Sequence, residues 1–386
     1  FKTREGPPCV AQNASKSASD RGSRRRGKQG KATRTLTRGL LFVKVPKCAS
    51  STTAGVALRI AREHERRARA GAGGDGGGGG GEAECYASAR HGWARKMKFA
   101  STQRDQRRSF LWTVLRAPAS RALSQIFHFR ISREGKHPTD KYLLQVLRGF
   151  PGATGDGGFQ ARYVAPSKVP ETFWDKEDKE KVQHAAALRS WVGSIRREYD
   201  FIGLVERLDE SLVALRLILN LEAGDVLYVS SKQSGSYDDL CKRIQPSFQS
   251  PAVAALLQSA EWRARNAADY LLYSVANASL DATIHALGPA RFAAAMAEHK
   301  ALLALVHDAR CADTAKFPCS ADGRRQKAAA KKTCYMNDSG CGFRCLNAVV
   351  DQQQRPALAR SSRRDGGRWP TTMEETGEEP AEEEEP

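Results

Sequence analysis

The residues Leu40-Leu-Phe-Val-Lys-Val45 form a short, nearly continuous apolar run closed by Pro46, and a helix-like stretch, Thr53–Arg69, follows a few small and hydroxylated residues later. Such a run marks a strand buried on both faces of a parallel sheet. The same order returns at Ser109-Phe-Leu-Trp-Thr-Val-Leu-Arg116, which leads through Ala117-Pro118 into a helical run, Ala119–Phe129. Two strand–loop–helix units imply parallel pairing, because parallel neighbours are joined by long, usually helical, crossovers. A third strand is predicted at Tyr199–Val205, with helix-spaced apolar residues from there to Leu219. A loop at Gly149–Gly158, a polar helix at Lys176–Ser194 and a helical region from Pro251 to about Ala309 complete the pattern. The expected class is α/β, a parallel sheet flanked by helices, with helical additions and no internal repeat.

Composition limits how much of the chain folds. The net charge is +19, but residues 1–38 hold eleven Lys/Arg against two acids, and Thr371–Pro386 holds eight Glu and no base. Both ends read as solvated tails, basic at 1–38 and acidic at the end of 349–386. Ala70–Gly81 is nearly all glycine and cannot offset its ordering entropy, so 70–84 reads as a floppy insert. A single domain over 39–310 is the expected folded unit, followed by a cysteine-rich extension over 311–348. There is no run of eighteen apolar residues and the first residue is Phe, so the chain reads as a fragment or mature form whose signal or anchor lies outside it.

Of nine cysteines, Cys311, Cys319, Cys334, Cys341 and Cys345 crowd one stretch with Gly, Asn and Asp between them. Crowding of this kind favours disulfides. Zinc is the competing reading, but seven, fourteen, six and three residues separate successive members, with no paired C-x2-C knuckle, so no metal is expected. Sequons at Asn13, Asn277 and Asn337 fit the same oxidising, secretory compartment and a glycoprotein.

Two loops carry the chemistry. In Lys47-Cys-Ala-Ser-Ser-Thr52, small residues let backbone N–H groups approach an anion, hydroxyls add donors, and the following helix points its positive end at the same place. No glycine precedes Lys47 and the lysine opens the loop instead of closing it, which disfavours a triphosphate-using kinase. In the second unit Arg116 ends its strand, and Ser124 follows on the next helix, so the pair is placed to hold a second phosphate. A plain β–α turn and a surface arginine are the bland alternatives, and the order of the two units argues against them. A basic nucleic-acid-binding protein is the other class, suggested by a pI near 9.7. Its basic run lies in a tail, and the folded part carries no nucleic-acid motif.

Phe42-Val-Lys-Val-Pro-Lys-Cys-Ala-Ser-Ser-Thr52 resembles the 5′-phosphosulfate loop of sulfotransferases that use 3′-phosphoadenosine 5′-phosphosulfate, and Leu115-Arg-Ala-Pro-Ala-Ser-Arg-Ala-Leu-Ser124 resembles their 3′-phosphate motif. Asp200–Val213 is similar to a later segment of the galactose-3-O-sulfotransferase and cerebroside sulfotransferase group, with more distant likeness to heparan-sulfate 2-O- and 6-O-sulfotransferases. The resemblance implies a fold like that of P-loop nucleoside triphosphate hydrolases and sulfuryl transfer from that donor, a co-substrate, to a glycan or glycolipid hydroxyl, with galactose a candidate. It also implies the Golgi lumen, a type II membrane anchor outside this chain and no nucleic-acid partner. Carried onto this chain, it makes Lys47, Cys48, Ala49, Ser50, Ser51, Thr52, Thr53, Arg116 and Ser124 the donor-binding residues. Ala117 stands where the family usually has an acid, and Pro46 where the galactose-transferring group commonly has a histidine.

Sulfuryl transfer needs a positioned donor, a cation for the leaving phosphate and a base for the acceptor hydroxyl. Lys47 suits the second task. For the base, His91 lies between the two motifs, in a position resembling the catalytic histidine of the heparan-sulfate enzymes; His128 and Glu206 are the alternatives. The polar loop Ser230–Tyr237 is a candidate to close over the nucleotide, and Gln160–Tyr163 with Arg130, Arg133 and Lys136 to receive an anionic glycan.

Overall fold

The computed structural model describes residues 37–71, 86–87, 91–97, 99–149, 158–165, 181–230, 232–238, 240–314, 319–320, 322–324 and 342–362. The expected basic tail up to residue 36, the glycine-rich insert from residue 72, the acidic terminus, the sequons at Asn13 and Asn337, and Cys9, Cys85, Cys334 and Cys341 lie outside them.

Among the described residues, four parallel strands make the sheet, in the order β2-β1-β3-β4: β1 (Thr37–Val43), β2 (Tyr86–Ala87), β3 (Arg104–Leu115) and β4 (Phe201–Leu204). Leu40 pairs with Phe110 and Trp112 with Phe201, so the apolar runs lie side by side at the centre. Leu40, Leu41, Phe42 and Val43 are all at most 1% exposed, which is why β1 reads as continuous hydrophobicity instead of alternation. Strand β3 starts five residues before the apolar run that announces it. Its polar beginning is held by tertiary bonds: the buried Arg104 guanidinium donates to Ser109 Oγ (3.0 Å), Asp200 Oδ2 (3.0 Å) and Glu198 O (2.7 Å). Two residues of β2 carry no periodicity, and sequence reasoning passed over them.

Helix α1 (Ser50–Gly71) follows β1, and α2 (Pro118–Ile126) follows β3 with Pro118 in its first turn, where a missing N–H costs nothing. Then come α3 (Asp140–Gly149), α4 (Phe159–Val164), α5 (Lys181–Glu198), and, after β4, α6 (Leu208–Ile218). Helices α3 and α4 flank the loop expected at Gly149–Gly158, in stretches to which the sequence analysis assigned no element, and residues 150–157 of that loop lie outside the described residues. From Pro251 to about Ala309 the chain is helical as expected, in α7 (Pro251–Gln258), α8 (Ala260–Arg265), α9 (Ala267–Leu287) and α10 (Pro289–Asp308), whereas α11 (Cys311–Thr314) lies in the expected cysteine-rich extension and α12 (Phe343–Ser362) runs into the stretch from 349 that the sequence read as a tail, because its apolar face with Val349 finds a partner only in the folded chain. Helices α6 and α9 pack on β4. Gly203 makes this close approach possible, since a Cβ there would lie 2.9 Å from Ser211 Cβ, and Ser211 Oγ accepts from Leu204 N–H at 2.9 Å.

Among the described residues, two disulfides tie the C-terminal region. Cys311–Cys345 lies within the crowded stretch, whereas Cys319 reaches back across 78 residues to Cys241. Helix α12 docks through Leu346 and Val349 on Leu227, Val229 and Val306, and Arg59 of α1 donates to Asn347 Oδ1 (2.6 Å). Asn277 is in mid-helix α9, and its side-chain oxygen accepts from Arg207 at 2.9 Å. No helix among the described residues is long and apolar enough to cross a membrane.

Candidate functional site

Beyond the carboxyl end of β1 the chain turns sharply, with Lys47 at φ 65° and Ala49 at φ 49°, the left-handed region that residues other than glycine seldom enter. Strained backbone of this kind concentrates where a ligand must be met. The turn delivers the chain into the first residue of α1, so Ser50, Ser51 and Thr52 lie in its first turn. Backbone amides there precede the first intrahelical acceptor, which makes the position an anion site. Thr53 lies just past it: its N–H and its hydroxyl both donate to Ala49 O, at 3.0 and 3.1 Å.

The second loop is fastened to the first by Gln160 on α4. Its Oε1 accepts from Arg116 N–H (2.9 Å) and from the Cys48 thiol (3.2 Å), while its Nε2 donates to Arg116 O (2.7 Å). Asp269 of α9 holds the start of α4 in turn, accepting from the N–H groups of Gln160 (3.1 Å) and Ala161 (2.9 Å). The Arg116 guanidinium then reaches Lys47 O at 3.3 Å, joining the two loops directly. Gln160 is 1% exposed and Ala161 fully buried, so the expected glycan contact at Gln160–Tyr163 is instead the clamp beneath the site.

Helix α2 runs on into a π-helical turn, Phe127–Arg133, in which Ser132 Oγ donates to Phe127 O (2.6 Å). In a π turn residues five apart share a face, so His128 and Arg133 turn to the same side, which α geometry would not allow. Opposite them is the segment around Lys232. It is shaped by Asp238, whose Oδ1 accepts from the N–H groups of Leu240 and Lys242 (both 2.9 Å) and whose Oδ2 pairs with Arg133, and it is pinned by Cys241–Cys319.

These pieces enclose a cleft of about 320 Å³. Lys47, Ala49, Ser50, Ser51 and Thr52 line it from the first loop, Arg116 and Ser124 from the second unit, His128, Phe129 and Arg133 from the π turn, with Pro46, His91 and Lys232 completing the wall. Seven of the nine residues expected to bind the donor thus meet in one place. The Cys48 side chain does not, being buried against Gln160, and Thr53 is bonded back into its helix.

Electrostatically the cleft is an anion trap. Burial pushes the Lys47 ammonium down to about 8, and Lys232, Arg116 and Arg133 push the same way against Asp238. Burial pushes the Cys48 thiol up to about 12, so it is not a nucleophile. His91 Nδ1 lies 3.1 Å from Lys44 O. A carbonyl accepts only, so Nδ1 donates to it and carries the proton. Glu206 is outside this set: its carboxylate accepts from Ala117 N–H (3.0 Å) and from Tyr273 OH (3.1 Å), where it holds the start of α2.

Sequence reasoning did not assign Lys232 and Arg133 to the donor cleft. The Ser230–Tyr237 loop is expected to close over the nucleotide, but Lys232 is not singled out within it, and Arg133, expected at the glycan, reaches the cleft through a π register that no periodicity announces. Ser124 and His128, four apart on one helix, were the available signal for the histidine. A sequence model described as galactose-3-O-sulfotransferase matches residues 94–321, more than half of the chain. No curated protein and no solved structure matches it.

Proposed function

The chain belongs to the galactose-3-O-sulfotransferase family of carbohydrate sulfotransferases, whose fold is P-loop-like, and from that premise we propose that it moves a sulfuryl group from 3′-phosphoadenosine 5′-phosphosulfate to a hydroxyl of a glycan or glycolipid. The observation that carries this reading is the meeting of Lys47, Ser50–Thr52, Arg116 and Ser124 in one cation-rich cleft at the mouth of a parallel sheet. Ligands of such sheets bind outside the carboxyl ends of the strands.

The reaction is an in-line displacement: the acceptor oxygen bonds to sulfur as the bond from sulfur to the bridging phosphate oxygen breaks. Lys47 meets the charge that appears on the leaving phosphate, and the first turn of α1 holds that phosphate in place. Arg116 and Ser124 take the 3′-phosphate. His91 Nε2 takes the acceptor proton, because its Nδ1 is committed to Lys44 O. Glu206 keeps the start of α2 in place and has no part in the chemistry. The disulfides support an oxidising compartment, and the Golgi lumen is the proposed location.

The test is transfer of radiolabelled sulfuryl from that donor to a panel of galactose-terminated glycans. Labelled product is expected with the native chain, and at least a hundredfold less, roughly, with Lys47→Ala. Equal turnover by that variant, or transfer from ATP instead, would overturn the reading.

A further inference from the structure

His128 is 5% exposed, its ring lines the cleft, and its Nδ1 is buried without a hydrogen-bond partner. Buried ring nitrogens are ordinarily paired. No acceptor meets Nδ1 among the described residues: the Phe129 ring meets the imidazole edge-on at 4.7 Å, Lys47, Arg133 and Lys232 bring positive charge, and Asp238 is bound to Arg133. A proton on Nδ1 would be a buried donor with nothing to donate to, so it belongs on Nε2, at the edge of the ring that meets the cleft. The two histidines of the cleft therefore hold opposite tautomers. His91 presents an acceptor and His128 a donor. Burial first, and then Lys47, Arg133 and Lys232 against Asp238, push the His128 imidazole down to about 3, so it stays neutral throughout the working range.

We propose that His128 is a donor-binding residue, whose Nε2–H hydrogen-bonds an anionic oxygen of the bound nucleotide. The inference rests on the sulfuryl-donor reading of the cleft and deepens it. Lys47, Arg116, Arg133 and Lys232 supply attraction, and a neutral N–H adds direction without adding charge to a crowded cationic wall. The phosphosulfate end and the 3′-phosphate present the same chemistry to it, an oxygen that accepts.

Calorimetric titration of the full chain with adenosine 3′,5′-bisphosphate tests this. His128→Leu is expected to bind about 10–100-fold more weakly. His128→Gln should stay within a few-fold of native, because its carboxamide can donate from a similar place. Both ratios should be the same at pH 5.5 and 7.5. Repeating the titration with adenosine 5′-phosphosulfate locates the contact: a persisting loss assigns it to the 5′ end, and a loss confined to the bisphosphate assigns it to the 3′-phosphate. In the native chain with ¹⁵N-labelled histidine, His128 should appear as the Nε2–H tautomer at pH 5.5 and shift on adding bisphosphate, a readout that does not depend on any variant folding. Unchanged affinity in a folded His128→Leu, or a charged or Nδ1–H ring at pH 5.5, overturns the proposal while leaving the donor reading intact. Native protein that does not bind bisphosphate overturns the donor reading and this inference with it.

Discussion

Lys47 is held where its own charge is expensive. Its ammonium is buried among Lys232, Arg116 and Arg133 and titrates near 8, well below the usual lysine value. A bound dianion favours the charged form and raises that value again. Binding at pH 8–8.5 should therefore take up a fraction of a proton, and binding at pH 6.5 almost none, since Lys47 is already charged there. Calorimetry of bisphosphate binding in two buffers of different ionisation enthalpy measures the uptake, and Lys47→Arg should abolish it. Affinity should also fall as pH rises through 8, because the competent lysine is the protonated one. For His91 the expectation is different in kind. His91→Ala should lower kcat by about 10²–10⁴-fold and leave bisphosphate affinity nearly unchanged, because base assistance acts only on the chemical step. The acid limb of the native pH profile, where a protonated imidazole cannot accept, should vanish with it; a variant that keeps both turnover and limb would acquit His91.

At the scale of elements, the site is two β–α junctions locked to each other by a short helix. The Gln160 side chain on α4 makes three hydrogen bonds, two to the Arg116 backbone and one to the Cys48 thiol, and all are buried or nearly so. Replacing it with Leu keeps the volume and leaves Arg116 N–H and O unpaired. A loss of about 2–4 kcal/mol is expected in denaturant unfolding, with weaker bisphosphate binding as Arg116 loses its fixed place. Affinity untouched by Gln160→Leu would show that the two loops are aligned without it. The π turn is a second such device, since it brings His128, Phe129 and Arg133 to the cleft in a register that straight α2 could not continue.

Across the whole molecule, the far end of the chain closes its beginning. Cys241–Cys319 fastens the segment that carries Lys232 and Asp238, and Asp238 holds Arg133. A bridge spanning 78 residues stabilises by roughly 4–5 kcal/mol on the loop-entropy account. The paired replacement Cys241→Ser with Cys319→Ser should therefore lower the thermal midpoint and weaken bisphosphate binding several-fold, while the far-ultraviolet circular dichroism stays native. Unaltered binding in that double variant would show that the Lys232 segment is placed by Asp238 and Arg133 alone. Cys311–Cys345 and the docking of α12 serve the other side, against Leu227, Val229 and α1, and their loss should cost stability without touching the cleft.

The sequence by itself determined the parallel α/β plan and the strand–loop–helix setting of Lys47–Thr52, because both depend on residues adjacent in the chain. Apolar runs announce buried strands, and small hydroxylated residues between strand and helix place backbone amides at a helix start. It also pointed to disulfides in the cysteine-rich stretch, as Cys311–Cys345 bears out, though not to Cys319 choosing Cys241. Only the tertiary structure decided the rest of the site. Cys48 meets Gln160 across 112 residues, Arg116 meets Gln160 across 44, and Ala117 meets Glu206 across 89. No local pattern encodes such contacts; a buried glutamine and a glycan-binding one look alike until the backbone around them is known. The tautomers of His91 and His128 belong here too, since each is set by whether a carbonyl, or nothing at all, faces Nδ1 once the chain has folded.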